Sequence, residues 1–314
     1  KIATIKGRPQ NYNVVICHFR TSGESHQKKN PIDKGAKKIT PANESLPMPA
    51  EKEQTLTIQQ AIDLGIQHHQ AGDLPKAEGI YQQILQADPN QPTVLHLLGL
   101  IAHQAGKSDL AFDLISKALS IEPNFAEAHY NLGLVLHALG KTGEALESFH
   151  KAIKIKPDYV KAYFNLGNAF QELGKLDEAV ENYNKALALK PDYAEAHSKL
   201  GTALHGLEMR NEAVVSYNKA LAIKPDYAET HYTLGIALKE LNKLDKAVSS
   251  YKKAIAIKPD YAEAHYNLGN AFHELGQLDE AVASYNQALD IKPDYVEAHS
   301  NLGNILTILG KPNE

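Results

Sequence analysis

The sequence predicts an all-α protein, a right-handed α-solenoid of seven 34-residue helix-turn-helix repeats plus one extra helix, behind a disordered N-terminal tail. Three observations predict it. The phrase Lys-Pro-Asp-Tyr recurs at 156–159, 190–193, 224–227, 258–261 and 292–295, each copy 34 residues after the last. Inside every 34-residue unit, apolar residues fall at helical spacing in two blocks. A proline closes the second block each time, and a residue without an N–H ends a helix. A period of this length marks stacked supersecondary units.

Residues 1–54 show no sustained period. They carry nine Lys/Arg against three Asp/Glu up to residue 50, a net of +6, and the remainder of the chain carries −10. Lys28 to Lys38 reads as a solvated basic run, and Pro41 to Glu53 has a linker's composition. The segment is expected to be a disordered basic tail and linker, with the solenoid occupying 55–314.

With each unit's proline numbered as position 32, repeats start at residues 58, 92, 126, 160, 194, 228 and 262, and an eighth opens at 296. Positions 1–14 form the expected first helix and positions 18–31 the second. Position 8 is Gly in all eight copies, from Gly65 to Gly303, and position 20 is Ala in the seven complete ones. Both are small because two helices must approach closely there, at Gly167 and Ala179 for example. Thr57 with Gln60 gives a capping-box start. Asp192/Glu195, Asp226/Glu229, Asp260/Glu263 and Asp294/Glu297 have the same spacing and predict further boxes. A single hairpin cannot bury both faces, so neighbouring repeats must stack.

These positions resemble the tetratricopeptide repeat family, whose run of Leu-Gly, Ala, aromatic, Ala and Pro recurs here over about 260 residues. The family's bulky position 4 is His in this chain, at His129, His197, His231, His265 and His299, with Tyr163 as an exception. The position-4 histidines are expected to be packed and satisfied by neighbours. The resemblance implies a groove lined by first helices. It assigns to that groove Tyr130, Phe164, Tyr232 and Tyr266 at position 5, and Asn131, Asn165, Asn267 and Asn301 at position 6. Asn168, Asn270 and Asn304 follow at position 9, and His137, His205 and His273 at position 12. A row of Asn offers both donor and acceptor to an extended peptide backbone. Because that side is solvated, replacing Asn165, Asn168, Asn267 and Asn270 is expected to leave the fold little changed.

The Asn row and the position-4 His also resemble the repeat region of bacterial O-GlcNAc transferase-like glycosyltransferases. That resemblance implies the substrate-recruiting part of a larger enzyme. Lys199 and Thr233 interrupt the row at position 6. A carboxylate clamp needs Lys at position 5 and Arg at position 6, which no copy has.

The function read from these residues is a protein-interaction scaffold that binds an extended, neutral or basic polypeptide. An array at −10 is poorly suited to nucleic acid. The longest apolar stretch, Val94 to Ala102, is too short to span a bilayer. No nucleophile elbow, phosphate loop or cofactor fingerprint appears, so no enzyme, cofactor or metal is expected. With the single Cys17, this fits a cytoplasmic protein. The chain opens on Lys1, and its last five residues align with the start of a second helix, so a longer parent is expected. The last helix is expected to leave Ile305, Leu306 and Leu309 partly uncovered and open to self-association.

Overall fold

The structure, a computed structural model, describes residues 56–310. The expectations for residues 1–54, the tail and its Lys-rich run, lie outside the described residues. Those described form fifteen α-helices, paired as first and second helices of successive repeats. They divide into two units, one ending at Pro123 and one starting at Asn124.

The first unit holds α1 (Ile58–Gln70), α2 (Leu74–Ala87), α3 (Pro92–Gln104) and α4 (Ser108–Ile121). Its core joins Ile62, Tyr81, Ile84, Val94, Leu98 and Ile101. Thr57 caps α1 as expected: its Oγ1 accepts from Gln60 N, and Gln60 Oε1 accepts from Thr57 N.

The second unit starts with α5 (Ala126–Ala138), α6 (Thr142–Ile155), α7 (Val160–Glu172) and α8 (Leu176–Leu189). It continues through α9 (Ala194–Gly206), α10 (Arg210–Ile223), α11 (Ala228–Glu240) and α12 (Leu244–Ile257) to α13 (Ala262–Glu274), α14 (Leu278–Ile291) and α15 (Val296–Ile308). First helices touch the next first helix, α7 with α9, α9 with α11 and α11 with α13. In this unit the first helices therefore line the inner side and the second helices the outer.

The four predicted Asp-x-x-Glu capping boxes are not made. The N-caps of α9, α11, α13 and α15 are Tyr193, Tyr227, Tyr261 and Tyr295, without a side-chain cap bond. The Asp lies one residue too early and the Glu falls at the second helical position, where it faces the helix dipole without closing a box. The tyrosine is otherwise engaged. Lys190, Lys224, Lys258 and Lys292 each place Nζ 4.6–5.1 Å from the ring centroid of the Tyr three residues on. The recurring Lys-Pro-Asp-Tyr phrase is thus a cation–π clamp across the turn.

Position 8 is small for a reason finer than helix approach. A Cβ on Gly167 would lie 2.7 Å from Tyr183 Cε1, and the other interior position-8 glycines meet the position-24 side chain in the same way. The position-24 side chain, a ring or Ile115, occupies the space a Cβ would take. The turn glycine at position 15 adopts positive φ, as at Gly140 (φ 74), while Glu208 (φ 62) and Asn242 (φ 57) hold the same conformation with a side chain.

Four of the position-4 histidines tie their first helix to the preceding turn. Nε2 of His197, His231, His265 and His299 donates to the carbonyl of Pro191, Pro225, Pro259 and Pro293 at 2.8–3.0 Å. Burial holds the His231 imidazole below its ordinary value, in keeping with a neutral ring protonated on Nε2.

At α15 the expected exposure holds for Leu309 and is corrected for Ile305 and Leu306. Ile305 is fully buried and Leu306 nearly so, because both turn back onto the preceding repeat. The exposed apolar residues there are Val296, Ile308 and Leu309.

Candidate functional site

On the inner side of the second unit, each position-5 aromatic packs between two further rings. Tyr130 lies 5.9 Å from Phe149 and 5.0 Å from Tyr159. Phe164 is held by Tyr183 and Tyr193, Tyr232 by Tyr251 and Tyr261, and Tyr266 by Tyr285 and Tyr295. All four are half-buried. Burial pushes the Tyr130 hydroxyl up to about 12.

The asparagines are stitched to these rings. Asn165 Nδ2 donates to Tyr130 Oη at 2.9 Å, Asn267 to Tyr232 at 3.0 Å and Asn301 to Tyr266 at 3.2 Å. Each rung joins position 5 of one repeat to position 6 of the next. Within a repeat, Tyr183 Oη donates to Asn168 Oδ1 at 2.8 Å, and Tyr285 Oη donates to Asn270 Oδ1 at 2.7 Å. Asn301 Nδ2 also reaches Asn270 Oδ1. The expectation that the four asparagines can be replaced without touching the fold is therefore corrected, since each one holds a tyrosine hydroxyl. Asn131 is half-buried, and Asn304 is exposed on α15.

A second line of rungs joins position 12 to position 13 of the next repeat. His137 pairs with Glu172, His205 with Glu240 at 2.9 Å and Lys239 with Glu274 at 2.9 Å. His273 is exposed and faces a repeat whose position 13 is Ile308. Among the described residues, no group of three or more His, Cys, Asp or Glu gathers to hold a metal.

The junction between the repeats starting at 160 and 194 has neither kind of rung. Phe164 has no hydroxyl to offer Lys199, and Gln171 meets Gly206 in place of an acid. Beside this junction opens a cleft of about 260 Å³, lined by Leu134, Asn165, Asn168, Gln171, Glu172 and Lys199, among others. Tyr183 Oη shares its one proton between Asn168 Oδ1 and Gln171 Oε1, the latter at 2.9 Å, and the Gln171 amide nitrogen has no partner among the described residues.

Sequence reasoning missed Tyr183, Tyr285 and Gln171 as parts of this network. The signal was present in coupled positions: Tyr at position 5 is followed by Asn at position 6 of the next repeat in this unit, at 130/165, 232/267 and 266/301. Phe164 and Ser198 are followed by Lys199 and Thr233 instead.

Matches to the family described as "TPR repeat" cover residues 133–174, 167–207, 211–241, 237–276 and 269–310, and two "Tetratricopeptide repeat" matches cover 62–124 and 114–147. The chain belongs to the tetratricopeptide repeat family. Among solved structures, this tetratricopeptide repeat protein is similar to MamA, at 28% identity over 53% of this chain and 97% of that one, with a TM-score of 0.51. It shares its fold with YrrB, described as a TPR protein with an unusual peptide-binding site (24% identity, 60% and 96% covered, TM-score 0.54). It also shares it with the C-terminal part of a TPR repeat-containing protein from Cytophaga hutchinsonii (18% identity, 78% and 99% covered, TM-score 0.63). No curated protein matches the chain. Among the described residues, no helix of this tetratricopeptide repeat protein is long and apolar enough to cross a membrane.

Proposed function

We propose that the chain is a protein-interaction scaffold that holds an extended polypeptide along the first helices of its second unit. The observation that carries this reading is the inner cleft beside the junction without rungs. There Gln171 offers an uncommitted amide nitrogen and Lys199 a charge, next to the apolar Leu134. The donors of Asn165, Asn267 and Asn301 are taken by tyrosine hydroxyls, so Gln171 and Lys199 are the donors this cleft adds to the row. Uncommitted polar groups beside an apolar wall fix a peptide backbone while one side chain is buried.

The test is a peptide array probed with the full chain, followed by titration of the strongest hit against Gln171→Ala/Lys199→Ala. Tyr183 keeps Asn168 as an acceptor in that variant. Loss of two hydrogen bonds should weaken binding by about 1–3 kcal/mol in all. Unchanged affinity refutes the assignment, as does a hit list of acidic C-terminal tails that fail once amidated.

A further inference from the structure

The outer side of the second unit carries a larger opening, on the opposite surface from the inner cleft. A cavity of about 760 Å³ lies between α10 and α12 over the floor of α11. Val214 and Leu221 form part of one wall, Leu234 and Leu238 the floor, and Lys243, Lys246 and Lys253 line the other wall with Ile257. Among the described residues no Asp or Glu lines it.

Two features mark this groove. The first is the lack of a side-chain pair that spans two of its equivalents. Between α6 and α8, His150 packs edge-on against Phe170 at 6.2 Å; between α12 and α14, Lys252 sits 5.2 Å from the centre of the Phe272 ring. The same two positions are Asn218 and Leu238 here, as they are Asn184 and Leu204 between α8 and α10. Asn218 folds back onto its own helix, donating to Val214 O at 2.8 Å, and the groove stays open.

The second feature is charge. At the position of Lys246 the repeats starting at 126, 160, 194 and 262 carry Glu144, Glu178, Glu212 and Glu280. An acid there favours the positive end of the second helix, and a lysine opposes it. Lys246 has no carboxylate within ion-pair distance among the described residues to offset this, nor do Lys243 and Lys253. Lys246 and Lys253 are two helical turns apart on one face, and the three ammonium groups mark an edge about 15 Å long at ~1.5 Å per residue. A local rule broken without a local gain points to a binding role.

We infer that this outer groove docks an acidic segment of a partner protein, its apolar side chains seated between α10 and α12 and its carboxylates on Lys243, Lys246 and Lys253. The apolar floor excludes a purely ionic ligand as the best fit, and the unpaired lysines supply the complementary field.

The test uses the full chain and a fluorescein-labelled 14-residue peptide of Glu with Leu at helical spacing, followed by anisotropy at 100 mM NaCl. Saturable binding is expected. Lys246→Glu should weaken it about tenfold or more while the melting temperature holds or rises, since the acid suits the helix end. Asn218→Lys/Leu238→Phe should weaken it similarly by filling the groove, although it adds positive charge. A Glu/Ser peptide of equal charge should bind about tenfold less tightly. No saturable binding to the wild-type chain overturns the inference. So does Lys246→Glu binding within about twofold of wild type, or equal binding of the Glu/Ser peptide, because charge alone would then account for it.

Discussion

Tyr251 and Tyr285 occupy the same repeat position and are both fully buried, yet removing their hydroxyls should change stability in opposite directions. Tyr285 Oη donates to Asn270 Oδ1 at 2.7 Å, so Tyr285→Phe forfeits a made hydrogen bond. Asn270 Oδ1 still accepts from Asn301, so no acceptor is orphaned, and the cost should be about 0.5–1.5 kcal/mol. Tyr251 Oη faces Ile236 at the position where Asn270 stands, and it finds no hydrogen-bond partner among the described residues. Tyr251→Phe removes a buried, unpaired hydroxyl whose desolvation costs about 1–3 kcal/mol, so the variant should gain stability up to that amount. At roughly 2–4 °C per kcal/mol for a chain of this size, the two variants should melt several degrees apart. Circular dichroism melts and urea titrations of both, alongside wild type, provide the measurement. Ile236→Asn should return a partner to Tyr251 and lose its benefit when combined with Tyr251→Phe. Equal destabilisation by both Phe variants would refute the reasoning, since Tyr251 would then be making a bond like that of Tyr285.

Gly167→Ala should destabilise by about 1–3 kcal/mol, because its Cβ meets the Tyr183 ring at 2.7 Å, whereas Gly303→Ala, with nothing within 4 Å, should gain up to ~1 kcal/mol of helix propensity. Denaturant midpoints of the pair check this. Glu208→Gly should stabilise by about 1 kcal/mol in the same assay by relieving a side chain at φ 62, since its ion pair with Arg210, at 3.8 Å on the surface, is weak. Burial pushes the hydroxyls of Tyr81, Tyr261, Tyr285 and Tyr295 up to about 12. Their folded values lie above the unfolded ~10, so their contribution is intact below pH ~10 and lost as pH rises toward 12. Melting temperature followed from pH 8 to 11.5 should fall only above about pH 10.

Most of the architecture is legible in the sequence because a repeat states its own rules many times over. The period, the helix pairs and the Leu-Gly/Ala/aromatic core all follow from what a stacked hairpin must bury. The Thr57/Gln60 capping box is legible and the four Asp-x-x-Glu boxes are not. Asp192 and Glu195 have the correct spacing, but the backbone turns into the helix one residue later, at Tyr193, whose ring is held by Lys190. Ile305 and Leu306 escape a reading that gives the end helix one neighbour without resolving which of its side chains that neighbour covers. The asparagine row shows the deeper difficulty. Its inward face is periodic and visible, yet whether Asn165 is spoken for depends on Tyr130, 35 residues away. That dependence can be read only by comparing which residues change together between adjacent repeats.

The rungs between position 5 and position 6 have a consequence for how such an array can be edited. A repeat carries half of a bond at each edge, so its neighbours are not interchangeable. Excising residues 262–295 would set Tyr232 against Asn301, which remakes the Tyr–Asn rung. Excising 228–261 would set Ser198 against Asn267 and strip that amide of its Tyr232 acceptor. The same 34-residue length is thus a clean cut in one place and a mismatched one in the next. The chain has a grammar of permissible joins, written in hydroxyls and amides, within a period that is uniform in length.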